Sequence, residues 1–305
     1  NLKGVKNITS QTTNGSSYAG GFVGHIDKGV FENINLKLNS DIISKNSNGN
    51  SYTGGFAGSA NGTFSNIKLE GVKNISSQTT NGSSYVGGFA GNAYGTFSNI
   101  HLKNIGDISN KVTKNDKEKN VYSHAGGFAG RIAYGTFSNI ILDGVNNISS
   151  TMDGTSLDAS KYLDGIYVGG FMGSTDSYYN KSSLFSNIHL KNIGGISSTI
   201  DGGDGRKIYM GGFIGNASNV KKIDNITIDG IKSITNTNNT ENSSAASISA
   251  IGGFIGLLDG YEPITTAIEN ISIKNLGAIS NLNKLDNSSV VSNNYTSGFI
   301  GEIGK

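Results

Sequence analysis

Apolar positions along this chain fall into short words that return in a fixed order. The most constant is Gly-Gly-Phe-x-Gly, at Gly20 to Gly24, Gly54 to Gly58, Gly87 to Gly91, Gly126 to Gly130, Gly169 to Gly173, Gly211 to Gly215 and Gly252 to Gly256; an eighth copy, Ser297 to Gly301, lacks only the first Gly. The eight central residues are Phe22, Phe56, Phe89, Phe128, Phe171, Phe213, Phe254 and Phe299, spaced by 34, 33, 39, 43, 42, 41 and 45 residues. Each word is followed by two more, as in Gly95 to Leu102 and Ile105 to Ser109. Three short β-type segments per repeat are expected.

The second word contains a corner. Apolar residues flank an Asn in Phe31/Asn33/Ile34, Phe64/Asn66/Ile67, Phe97/Asn99/Ile100, Phe137/Asn139/Ile140, Phe185/Asn187/Ile188, Ile223/Asn225/Ile226 and Ile268/Asn270/Ile271. Residues three apart would lie on opposite faces of a straight strand, so the chain must turn between them, and Asn tolerates the left-handed conformation a turn needs. Stacked repeats would align Asn33, Asn66, Asn99, Asn139, Asn187, Asn225 and Asn270 as an amide ladder. A two-unit period overlies this one: Gly4 to Ile8, Gly71 to Ile75 and Gly144 to Ile148 alternate with Asn104 to Ile108 and Asn192 to Ile196.

Insertions fall at two places, between the Ile-Ser word and the next Tyr and after the Gly-Gly-Phe word. Variable loops at fixed corners of a constant framework describe a solenoid. The expectation is an all-β fold, a right-handed parallel β-helix of eight coils in a single repeat array over residues 1–305, about 38 Å long at strand spacing. An eight-bladed β-propeller is the alternative. Neither end carries a recognisable cap, so the array is expected to continue in a longer chain.

Alternation through Tyr85 to Gly91 puts Tyr85 and Phe89 on one face and Val86 and Ala90 on the other. The aromatic pair recurs as Tyr18/Phe22, Tyr52/Phe56, Tyr167/Phe171, Tyr209/Phe213 and Tyr295/Phe299, and as Tyr122/Phe128 with one register adjustment. Two readings are open. Either a Gly bulge resets the alternation and Phe forms a core ladder, or the Tyr/Phe stripe faces outward as a contact surface on which a ligand lies flat.

Composition narrows the classes. The 305 residues include 45 Gly, 40 Ser and 39 Asn, one Pro, no Cys and no Trp. Without Cys there is neither a disulfide scaffold nor a thiolate metal site, which suits a chain outside the cell. A net charge of +2 offers no footprint for nucleic acid, and no stretch is apolar for long enough to span a bilayer. With 35% apolar residues, including 13 Tyr and 13 Phe, the chain should be ordered.

Candidate chemistry is sparse. The Asp-rich insertions Asp153 to Asp158 and Asp201 to Gly205 lack the spacing of calcium loops and read as turns. His25, His101, His124 and His189 read as surface substitutions, the mixed-charge run Lys111 to Lys119 as a solvated loop, and no catalytic grouping stands out. No cofactor, metal or enzymatic activity is expected.

At Gly21-Phe22-Val23-Gly24, Gly55-Phe56-Ala57-Gly58, Gly170-Phe171-Met172-Gly173 and Gly212-Phe213-Ile214-Gly215 the sequence resembles the GLUG motif. That repeat occurs in bacterial surface proteins, among them filamentous-haemagglutinin-like and autotransporter adhesins and some immunoglobulin A metallopeptidases. The resemblance implies a β-solenoid secreted across the outer membrane to the cell surface. The peptidase branch would need a His-Glu-x-x-His helix, which is absent. The partners expected are a receptor or glycan on a host or neighbouring cell, or copies of the chain in a filament or surface layer; a β-helix enzyme acting on polysaccharide is a distant alternative.

Overall fold

The computed structural model describes residues 5–115, 120–154, 164–176, 181–202, 206–240, 247–260, 266–285 and 292–304. Every element among them is a β-strand. The Tyr words, such as Ser51–Gly54 and Ser84–Gly87, form an eight-stranded sheet, and the segments that follow them form a seventeen-stranded one. Pairing is parallel and joins each word to the same word one repeat away, as Phe97 to Phe64 and to Phe137. Long parallel sheets of this kind are consistent with a β-solenoid. The antiparallel hairpins of a propeller blade are absent among the described residues.

The Gly-Gly-Phe word is a corner between the two sheets, not a bulge within a strand. Ser84–Gly87 ends before it and Ala90–Ile105 begins after it. The Phe128 carbonyl accepts from both the Phe89 amide at 2.8 Å and the Ala90 amide at 3.1 Å, so the ladder continues around the bend. A Cβ on Gly88 would lie 2.1 Å from the Gly127 carbonyl oxygen, and one on Gly87 would lie 2.2 Å from that of Ala90. No side chain fits where backbones approach this closely.

That corner overturns the outward Tyr/Phe stripe. Phe56, Phe89, Phe128, Phe171, Phe213 and Phe254 are fully buried, as are the residues that follow them, Ala57, Ala90, Ala129, Met172, Ile214 and Ile255. Only the first and last members, Phe22 and Phe299, are exposed, at 44% and 40%. Neighbouring rings of the row stack with centroids 4.7 to 5.2 Å apart. A second row, Phe31, Phe64, Phe97, Phe137 and Phe185, stacks likewise and meets the first edge-on, as in Phe89 and Phe97 at 5.9 Å and 88°. Stacking along each row and edge-to-face contact between rows are both favoured ring geometries.

The seven Asn corners all have φ between 53° and 58°. Ladder pairing resumes on either side of each one, so Phe97 and Ile100 both enter the core. The exposed amides bond along the stack: Asn66 Nδ2 donates to Asn33 Oδ1 at 3.2 Å, Asn99 to Asn66 at 3.1 Å, Asn187 to Asn139 at 3.1 Å and Asn225 to Asn187 at 2.7 Å, while Asn270 donates to Asp224 at 2.9 Å. The corners bend the strands without ending them. Ser183–Asp201, Val220–Thr240 and Ala267–Leu285 run 19, 21 and 19 residues, where three short segments per repeat were expected.

A second corner carries the two-unit period. Gly71, Gly144 and Gly230 have φ of 77° to 88° and alternate along the chain with Asn104, Asn192 and Asn275 at 52° to 54°. The preceding residues Glu70, Lys103, Asp143, Lys191, Asp229 and Lys274 share one register position and alternate in sign. Asn192 donates to Asp143 at 2.9 Å and Asn275 to Asp229 at 2.7 Å, tying these two Asn corners to the acid of the preceding repeat.

Serine hydroxyls close the interior behind the Tyr strands. Ser84 donates to Ser77, Ser77 to Ser51, Ser51 to Ser44, Ser44 to Ser17 and Ser17 to Ser10, each at 2.7 to 2.9 Å. A buried hydroxyl is stable only when bonded, and here each is the next one's partner. The run from Lys111 opens inside the framework, since Lys111 to Thr113 end the strand Asp107–Thr113 and Lys114 is 1% exposed. Residues 116–119, 155–158 and 203–205, which hold the rest of that run and most of both Asp-rich insertions, lie outside the described residues.

Candidate functional site

Beyond the Gly-Phe corner the chain folds back against the Tyr strand. A Cβ on Gly91 would stand 2.8 Å from the Tyr85 carbonyl oxygen and 2.8 Å from the Thr53 amide, so the two strands meet backbone to backbone. Side chains that point away from the core on these strands therefore share one groove. Its first wall is a single register position, Tyr18, Tyr52, Tyr85, His124, Tyr167, Tyr209, Ala250 and Tyr295. The facing wall is the position just after the last Gly of each word: His25, Ser59, Asn92, Arg131, Ser174, Asn216, Leu257 and Glu302.

The first wall is an aromatic stack. Centroids are 4.8 Å apart for Tyr18/Tyr52 and Tyr52/Tyr85, 4.9 Å for Tyr85/His124 and 4.6 Å for His124/Tyr167, with ring planes within 11° of parallel. The next pair, Tyr167/Tyr209, opens to 5.7 Å and 43°, where the stack meets Ala250. From Tyr18 to Tyr167 the ring faces are covered by neighbouring rings, so no ligand lies flat on this stretch of the row. It offers ring edges and hydroxyls instead.

His124 occupies the Tyr position of its repeat, and Tyr122 pairs two residues earlier, with Gly165. This corrects both the Tyr122/Phe128 pairing and the reading of His124 as a surface substitution. The imidazole is 5% exposed and its Nδ1 is 2.8 Å from the Ser174 hydroxyl. Burial, with the Arg131 charge nearby, holds its pKa well below the usual histidine range, so the ring is neutral. Burial likewise pushes up the phenol pKa values of Tyr52, Tyr85, Tyr167 and Tyr209, and at Tyr209 the Glu302 and Asp259 carboxylates add to it. These hydroxyls keep their protons and can donate.

On the facing wall Arg131 pairs with the Asp176 carboxylate, and its guanidinium carbon lies 5.8 Å from the Tyr85 centroid. Asn92 donates to the Tyr94 hydroxyl at 2.6 Å, yet its Oδ1 is buried without a partner, as is that of Asn216. The groove is divided into cavities. One of about 250 Å³ lies between Tyr85, His124, Tyr167, Arg131, Asp176 and Asn216. Another of about 230 Å³ lies between Tyr18, Tyr52, His25, Asp27 and Asn92.

Of the ten aromatic residues proposed as a contact stripe, the structure thus brings Tyr18, Tyr52, Tyr85, Tyr167 and Tyr209 to one groove, sends Phe56, Phe89, Phe171 and Phe213 to the core, and leaves Phe22 half-exposed as the first ring of the Phe row. The facing row was missed, although it sits at a constant offset from a constant word and varies freely in character. Among the described residues no group of three or more His, Cys, Asp or Glu is placed to hold a metal ion, and no helix is long and apolar enough to cross a membrane. No protein-family model, no curated protein and no solved structure matches this chain.

Proposed function

We propose that this chain is a segment of an extracellular bacterial surface adhesin or fibre of the GLUG-repeat kind, built as a right-handed parallel β-helix of eight coils. The carrying observation is the division of labour within each repeat. Corner, core and ladder positions hold nearly the same residue throughout, while the position after the last Gly changes from His25 through Ser59, Asn92, Arg131, Ser174, Asn216 and Leu257 to Glu302 along one wall of the groove. A catalytic device would concentrate its chemistry at one place. A rod with constant framework and variable groove suits contact with another surface.

The test is binding of the purified segment to host and bacterial cells, read by flow cytometry with a fluorescent label on Lys305. Saturable binding, lost when the Asn92 and Arg131 positions are both replaced by Ser, supports the adhesin. Concentration-dependent filaments in electron micrographs, without cell binding, move the assignment to a self-assembling fibre. Reducing-sugar release from polysaccharide overturns both.

A further inference from the structure

The cavity around Arg131 has the chemistry of a saccharide subsite. We propose that it takes a neutral sugar ring, gripped through its hydroxyls by Arg131, Asp176 and Asn216; this rests on reading the groove as the contact surface. The Arg131 guanidinium and Asp176 carboxylate are paired, so the site holds a fan of donors beside a set of acceptors with no net charge between them. A second anion would have to displace Asp176. Adjacent hydroxyls, which donate and accept at once, satisfy both members of the pair without breaking it.

Asn216 supplies the second sign of a missing ligand. Its Oδ1 is buried with no partner, and a buried acceptor is destabilising unless a donor reaches it. The Tyr85 and Tyr167 hydroxyls, kept protonated by burial, and the neutral His124 ring complete a polar lining without charge. The cavity nearer the start of the groove has a more exposed counterpart of this set. There His25 and Asp27 pair at 2.7 Å, and the Asn92 Oδ1, on a side chain 5% exposed, again has no partner.

Shape selects a compact ligand over an extended one. The two cavities, about 250 and 230 Å³, are separate, with Asn92 bonded to Tyr94 at the edge of one of them, whereas an extended peptide would need an open trough. Because ring faces are covered by the stack, the sugar is held by hydroxyls and ring edges rather than by lying on an aromatic plane.

The experiment is a saturation-transfer NMR titration of the whole segment with the methyl glycosides of galactose, glucose and mannose, against sialic acid and a blocked Gly-Asn-Gly peptide. Two variants keep the fold, because each installs a residue that the neighbouring repeat already carries at that register: Arg131→Asn matches Asn92, and Asn216→Leu matches Leu257. Circular dichroism verifies that both are folded. At least one neutral glycoside should bind the parent, about tenfold more weakly in each variant, and neither sialic acid nor the peptide should displace it. The proposal is overturned if no glycoside binds, if both variants bind as the parent does, or if sialic acid or the peptide competes. Cell binding without glycoside binding sinks the subsite and leaves the adhesin standing; glycoside binding without cell binding does the reverse.

Discussion

Two aromatic rows come from one word. Tyr85 and Phe89 are four residues apart, and both rows stack at 4.7 to 4.8 Å in their regular stretches. Yet the Phe row is dry and braced edge-on by a second Phe row, while the Tyr row has only its own stack and a polar groove beside it. Stacking is thus a consequence of parallel, in-register pairing, which places like residues at strand spacing whichever way they point. What separates core from groove is the corner at the second Gly. It lets Phe89 turn inward while Tyr85, before the bend, stays outside.

The largest test of that contrast is truncation on either side. Phe89→Ala removes a fully buried ring from two sets of contacts and should cost about 3–5 kcal/mol of unfolding free energy in urea titration. Tyr52→Ala, removing a half-buried ring that stacks on Tyr18 and Tyr85, should cost about 1–2 kcal/mol. Equal losses would mean that the stack itself, and not burial behind the corner, supplies the stability.

A middle-sized test uses the one rung where the Tyr row holds a titratable imidazole. Burial lowers the His124 pKa in the folded state, while the unfolded chain binds the proton at the ordinary value of 6.5. Below that pH the unfolded state takes up a proton the folded state refuses, so stability falls as pH falls, by up to about 1.4 kcal/mol per pH unit until the folded ring also titrates. The charged groups facing the ring are Arg131, which opposes protonation, and Asp176, which is engaged with Arg131. His124→Tyr restores the residue found on neighbouring rungs and should remove most of the dependence between pH 6.5 and 5, followed by thermal melting. A variant that keeps the full slope would place the acid sensitivity elsewhere.

The framework was far more legible than the groove, and for a physical reason. Positions such as Asn99, Gly88 and Phe97 are fixed by backbone conformation, close approach or packing, so each repeat solves the same problem with the same residue, and repetition reveals them. The fold class and the corners could be read this way. The direction of the Phe row could not, because strict alternation through Tyr85 to Gly91 assumes a straight strand, and only the bend decides which face is inside. His124 was hidden by counting from Tyr122, two residues off the true register. The groove residues Asn92, Arg131 and Asn216 were passed over because they differ from repeat to repeat, which in a contact surface is the signal. The serine chain from Ser84 to Ser10 was hidden by composition, since buried Ser and loop Ser look alike in a chain with 40 of them.

The smallest expected effect tests the corners that connect the two sides. Asn99 is exposed, with φ of 54°, and donates to Asn66 at 3.1 Å. Asn99→Ala forces a branched-at-Cα residue without a helpful side chain into the left-handed region and loses the amide bond, for about 1–2 kcal/mol. Asn99→Gly relieves the backbone but loses the bond and gives the unfolded chain more freedom, two small losses that together should cost about 0.5 kcal/mol, less than the alanine variant. The gap between the two, measured by thermal unfolding, isolates conformation from ladder bonding. If Gly proves as costly as Ala, the amide ladder rather than the left-handed turn holds the corner, and Phe97 and Ile100 are steered into the core by the stack of Asn side chains above and below them.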